Sequence, residues 1–263
     1  MSTAACYLEP IRKRPNLHIE TNAYAQGLVL EGKRCVGVRY LVNGEAREAR
    51  SGRDVVISGG SVNSPQLLEL SGIGQAERLQ GLGIAVQQNL PGVGENLRDH
   101  FAPRTRWLIG AKGYSLNDRT RGLGLAYQVM RYVLGQTSMM AAVAAPMRAF
   151  VRSREGLEAP DALLGWVPML TEMRASGPVI SKQSGMTCYA HAMRPESKGH
   201  IHIMSADPGR APAINFNFLS ARVDEDITVA AVNIARSVMR APAMAKLQLT
   251  EIGPGEDLNT HDQ

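Results

Sequence analysis

The stretch Val55–Gly74, VVISGGSVNSPQLLELSGIG, decides the fold. Together with Asp54, its first residues form a short continuous apolar run, which is typical of a strand buried on both faces of a parallel sheet. Two glycines follow. Ser64 and Pro65 then occupy the positions expected for the N-cap and the first residue of a helix. The sequence therefore predicts a buried strand at 54–58, a glycine turn and a helix.

The glycine turn has a possible chemical use. Glycines let a backbone approach a ligand without a Cβ in the way, and the N-terminus of a helix offers free N–H groups and partial positive charge that suit a phosphate. Spacing alone favours an ordinary strand-to-helix turn over a ligand site, because short glycine motifs often match by chance.

Elements of two kinds surround this unit. Before it, the hairpin dipeptide Asn43-Gly44 and alternating apolar residues predict a small antiparallel meander. After residue 100, strands of a mostly antiparallel sheet and an amphipathic helix are predicted. The predicted strands are Asn16–Ile19, Ala23–Leu30, Cys35–Leu41, Glu45–Ala49, Arg104–Ile109, Leu163–Leu170, Met186–Met193 and His200–Ser205, and the helices include Gly124–Leu134 and Arg222–Arg240.

Composition indicates a globular protein. The 263 residues are 44% hydrophobic and 20% charged, with a formal charge of +5, and this length suits one large or two smaller domains. Basic residues are spread along the chain, interleaved with Asp and Glu, and form no run with aromatic residues, so nucleic acid is not an expected partner.

Cysteines and apolar runs indicate the compartment. The three cysteines, Cys6, Cys35 and Cys188, form no CxxC pair, so we expect reduced thiols in a cytoplasmic protein rather than disulfides or a thiolate metal site. No apolar run is long enough for a transmembrane segment, and peripheral membrane contact is left open.

Several longer motifs carry a family resemblance. Gly60–Gly74 reads as a small-residue pair, Ser-Pro, two aliphatic residues and Ser-Gly-aliphatic-Gly, and it is accompanied by the loop Leu90–His100, LPGVGENLRDH, and by Arg194–Gly199 and Ser205–Pro208. In these motifs the chain resembles the glucose–methanol–choline family of FAD-dependent oxidoreductases, in its choline dehydrogenase and alcohol dehydrogenase branch.

The resemblance implies an α/β fold class, α+β overall. Residues 1–100 would form a partial FAD-binding domain with an antiparallel meander and a parallel-sheet strand. Residues 101–263 would form a partial substrate-binding domain on a mostly antiparallel sheet. The implied reaction is oxidation of the CH–OH group of a small-molecule alcohol, with FAD as cofactor and an electron acceptor that the sequence does not identify.

The resemblance also implies which residues contact FAD. Ala25 aligns with a meander residue whose backbone contacts the adenine side of the cofactor. Ser58, Gly59 and Gly60 correspond to the strand end that passes close to it, and Ser64 lies at the expected helix start beside them.

Two features of the family are not found. No GxG follows a buried strand and opens a helix with a third glycine, as a dinucleotide fingerprint requires, and the terminal His261-Asp262-Gln263 matches no catalytic motif. We therefore assign no catalytic residue and expect a truncated chain that is inactive alone. The alternatives are one part of a split enzyme and a non-catalytic remnant or interaction module.

Two pairs of residues that include histidine offer weaker hypotheses. His200 and His202 would share one strand face, where a polar sheet surface is a simpler interpretation than a metal site. The side chains of Asp99 and His100 are neighbours in the chain and are not expected to face one another, so a structural role is predicted for them.

Overall fold

The computed structural model describes residues 2–141, 145–175 and 177–255. Its strands are β1 Ala23–Glu31, β2 Arg34–Val42, β3 Glu45–Arg50, β4 Ile73–Gly74, β5 Gln88–Asn89, β6 Glu95–Leu97, β7 Arg104–Ile109, β8 Met147–Val151, β9 Ala162–Val167, β10 Thr171–Arg174, β11 Gly177–Ile180, β12 Gly185–Ala192, β13 Gly199–His202, β14 Ala213–Asn215 and β15 Leu249–Gly253. Its α-helices are α1 Gly60–Leu70, α2 Ala76–Gly81, α3 Gly122–Val133 and α4 Arg222–Met239. Short 3-10 or π-helical segments occupy Ala4–Leu8, Glu9–Ile11, Leu116–Arg119, Met139–Ala141 and Pro242–Leu247.

The described residues form two units. The first contains Met1–Leu97 and Gly199–Asn215, and the second contains Arg98–Lys198 and Phe216–Gln263. The assignment of residues 1–100 to an FAD-binding domain and 101–263 to a substrate-binding domain stays a prediction.

The first unit contains the predicted meander. Strands β1, β2 and β3 pair antiparallel in that order. Asn43 and Gly44 turn the chain between β2 and β3, with φ of 52° and 84°, the left-handed region that these two residue types tolerate best. A second sheet has the order β14-β13-β6, and β4 and β5 form a parallel pair.

The predicted strand at 54–58 was wrong. This segment has no regular secondary structure and pairs with no strand among the described residues, and Val56 is 84% exposed. A parallel strand exists only when neighbouring strands satisfy its N–H and C=O groups, so an apolar run alone does not make one. The strand predicted at Asn16–Ile19 was also wrong, for the same reason.

The helix after the glycines begins earlier than predicted. It starts at Gly60, with Gly59 as its N-cap residue, and Pro65 lies inside it. Ser64 is therefore not the N-cap. A proline at this position removes one backbone hydrogen bond in the middle of the helix, and the remaining turns tolerate this loss.

The second unit is built on a five-stranded antiparallel sheet. Its strand order is β15-β7-β12-β9-β8, and α4 packs on β12 and β9. The predicted amphipathic helix is confirmed, and it buries residues four apart, Ile227, Ala231, Ala235 and Met239. At its end Arg236 makes a buried ion pair with Glu251 on β15, at 2.9 Å.

The α/β fold class is confirmed, with antiparallel sheets and one parallel pair. Among the residues that the structure describes, no helix combines the length and hydropathy needed to traverse a bilayer.

Candidate functional site

A cleft in the first unit brings together three of the predicted FAD-contacting residues. Its volume is about 350 Å³, and Ala25, Ser58 and Gly59 line it. The rest of the lining comes from β1, β2, the segment before α1 and one side of α1, and consists of Ala23, Tyr24, Val38, Val55, Val56, Ile57, Asn63, Gln66, Leu67 and Leu70. Residues 55–59 therefore lie along the cleft, although they pair with no strand among the described residues.

The start of α1 is open at this cleft. Helix α1 has no side-chain cap, so its first N–H groups have no partner from a capping side chain. Gly60 has φ +80°, and a Cβ built on it would meet nothing within 4 Å. Because Gly60 has no side chain and open space around it, a ligand can approach its backbone closely. An anionic group bound by the N–H groups of a helix start requires such access.

Ser64 lies elsewhere. It contributes to a separate, shallower groove with Pro65, Leu68 and the loop 90–94. The structure thus places Ala25, Ser58 and Gly59 on one cleft, Gly60 next to it at the helix start, and Ser64 outside it. The assignment of all five residues as cofactor contacts stays a prediction.

Hydrogen bonds fix the two walls of the cleft. Leu28 on β1 donates its N–H to the Ser71 hydroxyl at 2.8 Å, and that hydroxyl donates to the Leu67 carbonyl at 2.6 Å. These contacts join β1 to the end of α1. Ser71 belongs to the Ser-Gly-aliphatic-Gly motif, so the motif has a packing role that the sequence did not reveal.

A turn at 207–210 closes one edge. The Tyr24 hydroxyl donates to the Pro208 carbonyl, and the Gln66 amide lies 3.3 Å from the Arg210 carbonyl. Both side chains also line the cleft. Sequence reasoning missed these residues, because their partners are more than 140 positions away.

His202 is held between two carboxylates. It is 2% exposed, with Nδ1 lying 2.7 Å from Glu69 Oε1 and Nε2 lying 3.0 Å from Glu95 Oε1. The His200 ring stacks on it at 5.3 Å. The two rings share one face of β13, as predicted, and that face is polar. The sequence did not indicate that His202 would be buried.

The loop 90–97 depends on a glycine at this cluster. Gly94 has φ +82°, and a Cβ there would lie 2.2 Å from the Ile201 carbonyl oxygen and 2.8 Å from His202 Nδ1. Its own carbonyl accepts the Ile201 N–H at 2.7 Å. This close approach explains why the LPGVG motif has glycine at its last position. Within the described parts of the chain, no cluster of three or more His, Cys, Asp or Glu residues could hold a metal ion.

The second unit contains its own histidine pair. His100 stacks on the buried His191 at 4.1 Å, and its Nε2 lies 3.2 Å from the Met193 carbonyl. The Asp99 carboxylate accepts the backbone N–H of His100 at 2.8 Å. The Asp99 carboxylate thus contacts the His100 backbone.

The two ends of the chain match models of one family. Residues 1–102 match the N-terminal model described as GMC oxidoreductase, and residues 195–263 match the C-terminal model with the same description. Together these ranges include more than half of the chain.

Similar proteins were found by sequence and by structure. The chain is 32% identical over its whole length to an oxygen-dependent choline dehydrogenase of Staphylococcus xylosus and 34% identical to one of Chromohalobacter salexigens, and it spans 46% of each. A formate oxidase of Aspergillus oryzae superposes on 96% of the chain with a TM-score of 0.86 and 22% identity, over 49% of its own length. An FAD-dependent oxidoreductase of Chaetomium thermophilum superposes on 98% with a TM-score of 0.83 and 19% identity, over 51% of its own length.

The chain spans about half the length of these relatives. The structural matches support the fold. The two family models and the sequence similarity to choline dehydrogenases show that the chain belongs to the GMC oxidoreductase family.

Proposed function

We propose that this chain supplies the FAD-contacting framework and the substrate domain of a flavin-dependent oxidoreductase that acts on the CH–OH group of a small-molecule alcohol. One observation carries the proposal: Ala25, Ser58 and Gly59, separated by up to 34 positions in the sequence, line one cleft at the uncapped start of α1. The family membership and the names of the relatives support it.

The residues present fit part of a flavin nucleotide. The helix start and the open Gly60 backbone suit a phosphate oxygen, while Ala23, Val38 and Leu67 give the cleft apolar walls for a flat ring. At about 350 Å³ the cleft is at the lower end of ligand-site volumes. We infer that it holds a portion of FAD and that other sequence surrounds the remainder.

FAD, when bound, supplies the two-electron acceptor for the alcohol carbon. The chain's own part is to bind and orient: the backbone of Ser58, Gly59 and Gly60 would position the cofactor, and the walls of the cleft would exclude water from it. We assign no proton-transferring residue in this chain.

These 263 residues contain no strand–GxGxxG–helix unit. We therefore expect them to bind FAD weakly and to turn over no alcohol without further sequence. A split enzyme, in which another polypeptide supplies that unit, makes the same prediction for the chain alone. A non-catalytic interaction module predicts no saturable FAD binding at all.

Titration of the purified chain with FAD, followed by quenching of flavin fluorescence, tests the cleft. We expect weak saturable binding that Ala25→Trp lowers by at least about tenfold, because the indole would fill the cleft. Ala46→Trp on the exposed strand β3 is the matched control and should bind like the parent chain.

Each outcome has a separate meaning. Equal FAD affinity of Ala25→Trp and Ala46→Trp would remove the cofactor assignment from this cleft, and absence of saturable binding would favour the interaction module. Turnover of choline by the chain alone would contradict the expected inactivity while leaving the cleft assignment intact.

A further inference from the structure

Helix α3 in the second unit turns its polar residues inward. Gln128 is 6% exposed, whereas Leu123 is 90% and Val133 is 77% exposed. Exposed apolar residues cover the outer side, and they are Leu125, Tyr127, Val129, Met130 and Tyr132, followed by Leu134 just after the helix. A surface helix of a globular protein normally has the opposite orientation.

Specific hydrogen bonds hold α3 in this orientation. The Ser138 hydroxyl donates to the Gln128 backbone carbonyl at 2.7 Å, and the Met139 N–H donates to the Gln128 side-chain carbonyl at 3.0 Å. Gln128 therefore caps the turn that follows the helix. Rotating α3 to bury its apolar side would break these bonds, so the outward apolar face belongs to the folded unit.

The sequence around α3 is strongly basic. Between Asp118 and Glu155 there is no acidic residue and no lysine, but there are six arginines: Arg119, Arg121, Arg131, Arg148, Arg152 and Arg154. Where the structure describes the chain, none of the six forms an ion pair with a carboxylate. Arg121 and Arg152 donate to backbone carbonyls, and Arg131 lies over the Tyr127 ring.

These features together indicate the kind of partner. Exposed Leu, Val and Met beside two tyrosines are typical of a helix that lies in the interface of a bilayer, and arginines without carboxylate partners favour anionic headgroups. A second copy of the chain fits less well, because a helix of 12 residues is about 18 Å long and alone covers far less than the roughly 800 Å² per partner of a stable dimer.

We propose that the outer face of α3, formed by Leu123, Tyr127, Met130, Val133 and Leu134, docks on an anionic lipid surface. The apolar side chains enter the headgroup boundary, and Arg119 and Arg121, which directly precede the helix, contact lipid phosphates. The proposal is independent of the cofactor assignment in the first unit.

Vesicle co-sedimentation of the whole chain tests this docking. We expect binding to vesicles that contain phosphatidylglycerol, weaker binding to phosphatidylcholine alone, and loss of binding at high salt. The double variant Leu123→Glu/Val133→Glu changes two exposed positions and should lower the partition coefficient by at least about tenfold. Met204→Glu, an exposed apolar residue of the first unit, is the matched control and should bind like the parent chain.

Two further measurements secure the result. Hydrogen exchange of the parent chain should slow in residues 122–134 when phosphatidylglycerol vesicles are added. This measurement does not depend on the folding of any variant. Light scattering without lipid gives the oligomeric state. The proposal would be overturned if the parent chain bound neither vesicle or if the double variant bound as well as the parent. It would also be overturned if the parent chain were a dimer in light scattering and the double variant a monomer, because α3 would then contact a second copy of the chain.

Discussion

Glu69 Oε1 lies 2.7 Å from His202 Nδ1, although the two residues are 133 positions apart in the sequence. Both side chains are buried. The second oxygen of Glu69 accepts the Ile203 N–H at 2.8 Å, and the other ring nitrogen of His202 faces Glu95. The contact therefore ties α1 to β13 and β6 and holds the helix that forms one wall of the cleft.

Glu69→Ala should destabilise the chain strongly. It leaves the Ile203 N–H and the His202 ring nitrogen buried without their partner, and each such group costs about 1–3 kcal/mol. Urea unfolding should show a loss of about 2–6 kcal/mol in the free energy of unfolding.

Two variants bracket this result. Glu69→Gln retains an acceptor and should lose less than Glu69→Ala. Glu77→Ala, on the exposed side of α2, should change the free energy of unfolding by less than about 1 kcal/mol. An equal effect of Glu69→Ala and Glu77→Ala would show that the buried contact does not contribute to stability.

Elements that depend on local signals could be predicted from the sequence. The meander follows from alternation and the Asn43-Gly44 turn, and α4 follows from its helical periodicity. The segment 54–58 could not be assigned, because a parallel strand depends on neighbours that the segment itself does not specify.

The site was predictable only in part. The family resemblance led to Ala25, Ser58 and Gly59, which do share a cleft. It gave no indication of Tyr24 or Gln66, whose partners lie near residue 208. Contacts of this kind arise from tertiary packing, and spacing along the chain carries no signal for them.

Cys188 should be unreactive in the folded chain. Burial raises the pKa of its thiol to about 12, so little thiolate, the reactive form, exists near neutral pH. Titration with Ellman's reagent should label the exposed Cys6 at once and Cys188 only after denaturation.

Cys188→Ala serves as the control for that assignment. It should leave the native labelling unchanged and remove one thiol from the count in denaturant. Rapid labelling of Cys188 in the native chain would mean that the five-stranded sheet opens readily around β12.

Gly165→Ala should destabilise the second unit. Gly165 on β9 is opposite Tyr189 on β12, and a Cβ would lie 2.2 Å from the Tyr189 ring. The ring would have to move, and overpacking of this kind costs about 1–3 kcal/mol.

A double-mutant cycle isolates the cause. In a Tyr189→Ala background the same glycine substitution should cost much less, because the clashing ring is gone. Thermal or urea unfolding of the four chains measures the coupling. Equal costs in both backgrounds would assign the effect to the backbone of β9 instead of the ring.

His191 should make stability depend on pH. Burial lowers the pKa of its imidazole, and the charges of His100 and Arg148 lower it slightly more. The Ala192 carbonyl and Asp99 raise the pKa and offset part of this effect. The folded chain therefore binds the proton less readily than the unfolded chain, whose imidazole titrates near 6.5. Stability is complete above that pH and declines as pH falls below it, until the folded state is protonated too.

His191→Asn removes the titrating group and can still donate to the Ala192 carbonyl, which lies 2.9 Å from Nδ1 in the parent chain. The free energy of unfolding, measured by urea titration from mildly alkaline to mildly acidic pH, should decline less steeply in this variant than in the parent. His18→Asn, at a highly exposed histidine, should keep the parent slope. Replacing a buried neutral imidazole by an amide must reduce the proton uptake on unfolding. If His191→Asn nevertheless gave the same slope as His18→Asn and the parent, a group other than His191 would account for the loss of stability in acid.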